Sequence, residues 1–136
     1  MYTNDRDAYR HYFFTVWQKY LSKQPLDASE AQLAEIIRQH PQFHDLLNAT
    51  NLKVEFAMEE NPFFHMSLHL ALREQIHTNR PAGIAEVYQR LCNVYSDVHE
   101  VQHRMMECLC RMISLAQQTG VAPEDEVYLN ELRKLS

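Results

Sequence analysis

The chain has 136 residues, 46% of them apolar, with two glycines and a formal net charge of -5, which fits one core of long helices better than a turn-rich sandwich or a disordered segment. With a negative balance and no cluster of Lys and Arg, nucleic acid is not expected as a partner. No apolar run reaches spanning length, so neither a membrane partner nor a leader segment is expected, and the reading is a single cytoplasmic domain over residues 1–136.

In chain order, Asn4 with Asp7 has capping spacing, and Tyr9, Phe13, Val16, Trp17, Tyr20 and Leu21 keep one helical face to about Lys23, before Pro25 ends it. Ser29 with Gln32 has capping-box spacing and opens a second helix bearing Leu33, Ile36 and Ile37, up to His40. Pro41 forces His40 out of helical geometry and restarts a short turn with Phe43, Leu46 and Leu47. Over 48–60, Leu52, Val54, Phe56 and Met58 alternate with period two, but no second strand exists to pair with them, so the stretch is expected to be irregular or extended. Asn61 as N-cap and Pro62 at the first helical position open a strongly apolar helix to about Thr78, closed by a turn over 79–83. From Ile84 the stripe Val87, Tyr88, Leu91, Val94, Tyr95 runs to Ser96 and Asp97, where Asp97 with Glu100 repeats the capping spacing and predicts a break. A further helix runs to Gln118, stopped by Gly120, and Pro123 with Glu124, Asp125 and Glu126 starts a last short one. The expected fold is all-α, a small bundle of about five to six helices.

Histidine is the compositional outlier, with eight in all, six of them in pairs four apart: His40/His44, His65/His69 and His99/His103. At about 100° per residue, His65 and His69 share the side of Leu68, Leu72 and Ile76, so they point inward. Two imidazoles one helical turn apart can grip one metal ion, and buried rings need such partners. His99 and His103 lie between the wet face of Glu100, Arg104, Glu107 and Arg111 and the apolar face of Met105, Leu109 and Met112, and so border a groove. An unbroken helix from Ile84 to Gln118 would displace the second pair from the first by roughly 9 Å at ~1.5 Å per residue. A break at Asp97 puts both pairs in the first two turns of their helices, at matching levels.

The leading expectation is therefore a divalent transition metal, zinc or iron first, on His65, His69, His99 and His103, with Glu107 as a weaker fifth candidate. Glu107 continues the 99, 103 spacing, but an i,i+4 surface pair with Arg111 accounts for it better. His40, His44, His11 and His77 show no inward partner and are expected at the surface or at caps. The competing reading is a non-catalytic interaction or oligomerisation module whose histidines form a buried polar network. His99, Glu100 and His103 also spell H-E-x-x-H, in which Glu100 would be the general base of a zinc peptidase. That chemistry needs a third ligand, for which Glu124 and Glu126 lie downstream, and a strand edge to hold a peptide. Cys108 and Cys110, set among Met105, Met106, Met112 and Ile113, read as small core residues, and three cysteines without C-x-x-C spacing, Cys92 included, suit a reducing compartment.

Three stretches, residues 61–75, 80–84 and 99–109, resemble an uncharacterised proteobacterial family known as domain of unknown function 1841. They carry Asn61, Pro62, His65, His69, Arg80, Pro81, Gly83, His99, His103, Met105, Met106 and Glu107. The resemblance spans nearly the whole chain and includes all four inward or groove-lining histidines. It implies a bacterial cytoplasmic protein and carries no activity or cofactor. Gln102 departs from it, Glu being common there. If that Glu is an acid/base group or a ligand elsewhere in the family, this chain has lost it.

Overall fold

The computed structural model describes residues 5–48 and 61–136. The chain divides into two compact units, residues 1–70 and 71–136. Among the described residues there are seven α-helices and no strand. The helical class is as expected, and the helix beyond the expected six is a five-residue α3. The Asn4 cap and the alternating stretch over 49–60 lie outside the described residues. No described helix is long and apolar enough to cross a membrane.

The first unit holds α1 (Asp5–Leu21), α2 (Ala28–Arg38), a 3-10 turn (Pro41–Phe43), α3 (His44–Asn48) and the first half of α4 (Pro62–Thr78). The helical spacing of Phe13, Val16 and Trp17 on α1 and of Leu33, Ile36 and Ile37 on α2 turns one stripe of each inward, where they meet Leu47, Phe63 and Met66. Phe13 and Phe63 pack edge to face, centroids 5.5 Å apart. Lys19 Nζ reaches Glu30 Oε2 at 2.8 Å and ties α1 to α2.

The second helix opens two residues earlier than the Ser29/Gln32 spacing predicts. Asp27 is the N-cap: its Oδ1 accepts from the Glu30 N–H at 2.8 Å, and Glu30 Oε1 accepts from the Asp27 N–H at 3.0 Å. Both sequence pairs have capping spacing, but a carboxylate cap is the better acceptor for the orphan amides of a first turn. The helix also ends at Arg38, short of His40, because Pro41 keeps its preceding residue out of the α region; His40 has φ -123° and ψ 69°.

The second unit holds the remainder of α4, α5 (Ile84–Val94), α6 (Val98–Thr119) and α7 (Asp125–Arg133), the last three in mutual contact. Ile84, Val87 and Leu91 of α5, Met105, Met106 and Leu109 of α6, and Leu129 and Leu132 of α7 are buried. The predicted break is present. Tyr95 and Asp97 are extended, and Asp97 Oδ1 accepts from the His99 N–H at 3.0 Å. Glu100 does not complete a capping box, since its carboxylate is taken by Arg104 at 2.9 Å. Gly120, at φ +75°, closes α6 with its N–H donated to the Ala116 carbonyl at 2.8 Å.

Candidate metal centre

Three histidines of the first unit converge. His65 and His69 stand on α4, whose start is fixed as the sequence suggests: Asn61 Oδ1 accepts from the Phe63 and Phe64 N–H groups at 2.9 and 3.3 Å, and Pro62 takes the first helical position. The third is His40, between α2 and the 3-10 turn. Ring centroids are 4.8 Å apart for His40 and His65, 5.2 Å for His40 and His69, and 6.0 Å for His65 and His69. One ring nitrogen from each lies within 4.8 Å of the others. His40 and His69 are fully buried, and His65 is half-buried.

The protonation of His40 follows from its partners. Its Nδ1 lies 2.7 Å from the Ile36 carbonyl oxygen. A carbonyl only accepts, so a proton sits on Nδ1, and in the neutral ring Nε2 carries the lone pair. That Nε2 lies 3.0 Å from Nε2 of His65. The Ile36 carbonyl belongs to the last turn of α2, where intrahelical partners run out. Phe43 stacks parallel on the His40 ring at 5.4 Å and meets the His65 ring at 5.8 Å, which restricts both imidazoles. A backbone acceptor on the far nitrogen and an aromatic wall are the supports that metal-binding histidines commonly have.

His40 was expected at the surface or at a cap; it is the N-cap of the 3-10 turn, but it is fully buried and stands in the cluster. The signal that finds it is periodicity: Leu33, Ile36, Ile37 and His40 follow the i, i+3, i+4, i+7 pattern, so the buried face of α2 continues into His40 after the helix itself has stopped. His44 is a cap, as expected: its Nε2 donates to the Ile37 carbonyl at 2.7 Å and its ring lies against Trp17.

In the second unit His99 and His103 occupy the first two turns of α6, ring centroids 4.1 Å apart and both half-buried. With Asp97, Glu100, Arg104 and Glu107 they line a shallow open depression of about 500 Å³. Glu107 is exposed, but the expected pair with Arg111 is replaced. Arg111 turns to Glu131 at 3.9 Å and to the Cys108 sulfur at 3.2 Å, where α7 brings a second carboxylate within its reach. Glu100 is held in its i,i+4 pair with Arg104, and no strand edge is present among the described residues to hold a peptide. Gln102 is buried, accepting from Arg73 Nε at 3.3 Å and donating to the Tyr88 hydroxyl at 3.4 Å. It belongs to a polar contact between α4, α5 and α6 within this unit. Cys108 is buried in the core, as expected, and burial, the largest influence, pushes its thiol pKa up.

The sequence model for the family described as Domain of unknown function (DUF1841) matches residues 5–134. The chain belongs to this family. For this DUF1841 chain no curated protein and no solved structure gives a match. The DUF1841 match spans α1 through α7, so both helices that carry H-x-x-x-H pairs and the His40 elbow fall inside it.

Proposed function

We propose that this protein binds a transition metal ion, zinc or iron first, through His40, His65 and His69. The observation that carries the reading is the 3.0 Å separation of the two Nε2 atoms, with the His40 proton held away on Nδ1. Two imidazole nitrogens at about 2.0–2.1 Å from a tetrahedral ion stand about 3.3–3.4 Å apart, a few tenths of an ångström from this arrangement. Neutral imidazole is the donor for zinc, iron, nickel and copper, whereas magnesium and calcium take oxygen ligands. His99 and His103 enter the proposal on their sequence spacing alone.

The test is elemental analysis of untagged protein after loading with zinc and, without air, with ferrous ion. About one ion per chain is expected, falling at least tenfold in His40→Ala and in His65→Ala. The same measurement on His103→Ala asks whether the second pair shares the ion. Metal content well below one ion per chain, unchanged by these substitutions, would overturn the reading.

The 3.0 Å contact also favours a second reading, a metal-free histidine network in which His65 Nε2–H donates to the bare Nε2 of His40. On that reading a chelator leaves the melting temperature unchanged.

A further inference from the structure

On the reading that the three histidines hold a metal, we infer that the centre is poised for the reduced ion, taking Fe2+ in preference to Fe3+. Its ligand group among the described residues is made of histidines. Each is neutral when it binds, so the ligands bring no negative charge against that of the cation. The far nitrogen of His40 meets a neutral group as well. His40 gives its Nδ1–H to the Ile36 carbonyl, a peptide oxygen, where a carboxylate would push electron density into the ring and help to stabilise a higher charge. Two of the three rings are also out of reach of water. His40 and His69 are fully buried, and Phe43 covers the His40 face.

In such surroundings each added unit of charge carries a rising desolvation penalty. Oxidation removes one electron from Fe2+ and leaves Fe3+ with the same neutral ligands. The added charge can then be met by loss of the ion, or by taking hydroxide from water with release of one proton. Loss of the ion leaves no ferric centre, and hydroxide uptake needs water to reach a centre in which His40 and His69 are fully buried, so the bound couple has a high potential. The function that follows is retention of ferrous iron against one-electron oxidants.

The experiment uses the full chain loaded anaerobically with Fe2+ and poised with mixtures of ferricyanide and ferrocyanide, in which ferricyanide takes up the electron. Bound ferric ion is read by electron paramagnetic resonance. His65→Asp places one carboxylate in the ligand set, and at a fixed potential its Fe3+/Fe2+ ratio is expected to exceed that of the wild type at least 100-fold. That ratio corresponds to a midpoint lower by about 118 mV, at 59 mV per tenfold change for one electron. A wild-type midpoint equal to or below that of the variant overturns the inference.

Should His65→Asp not fold or not hold iron, wild-type protein alone decides. Iron retained through desalting is expected to fall at least tenfold after full oxidation, and equal retention of both states overturns the inference. Zinc loading separates the two levels of the argument. If zinc and Fe2+ both fail to bind, the metal reading and this inference fall together. If they bind and the ferric state is held as well, this inference alone falls.

Discussion

His40 does two jobs with two nitrogens. Nδ1 satisfies the Ile36 carbonyl at the end of α2, and Nε2 faces His65. His40→Phe keeps the ring volume and the stack on Phe43 but removes both polar atoms. It is expected to abolish metal binding and, in metal-free protein, to cost about 1–3 kcal/mol through a buried acceptor left without its donor. Urea denaturation in chelator checks the second part. Cys108 supplies a contrast. Burial raises its pKa and so disfavours the reactive thiolate, and it is expected to resist alkylation in native protein at neutral pH and to label only on unfolding, as read by mass spectrometry. At this scale His65 and His69 were legible because a helix converts spacing into direction. His40 was hidden because its contact with His65 spans a proline break and 25 residues of sequence.

The helices are marked by their ends, and the ends make separable predictions. Asp27→Ala removes the true N-cap of α2 and is expected to cost about 1 kcal/mol, whereas Ser29→Ala, at an exposed position inside the first turn, is expected to stay within about 0.5 kcal/mol. Thermal denaturation of the two variants distinguishes them. The hydrogen bond from Lys19, then that from the Asp27 amide, hold the Glu30 carboxyl below its usual pKa. A group with a depressed folded pKa contributes stability above its unfolded pKa and loses it as the pH falls through the folded value. Glu30→Gln is therefore expected to flatten the acid side of the stability profile. Gly120 has open space where a Cβ would stand, so Gly120→Ala acts through its φ of +75° alone and is expected to destabilise by about 1 kcal/mol. Asn61, Pro62, Asp97 and Gly120 were readable as boundaries because cap chemistry is local. The α2 start was displaced because two overlapping pairs had the same spacing, and only the extended backbone at Asp27 chose between them.

For the molecule as a whole, low glycine content and repeated caps made the all-α class legible. The division into two units was not, because it falls after Leu70 inside the continuous α4, with no proline, glycine or change of composition to mark it. Metal at about 100 times its dissociation constant is expected to stabilise the folded chain by about 2.7 kcal/mol, provided the unfolded chain does not bind it. Scanning calorimetry with and without chelator reads this as a change in melting temperature. The central claim is that His40, His65 and His69 share one ion, and anomalous diffraction from metal-loaded crystals, on both sides of the metal's absorption edge, tests it most directly. The account predicts one peak about 2.0–2.2 Å from the nearest ring nitrogens of His40 and His65. A peak at other side chains, or none there with the two Nε2 atoms still 3.0 Å apart, would contradict it.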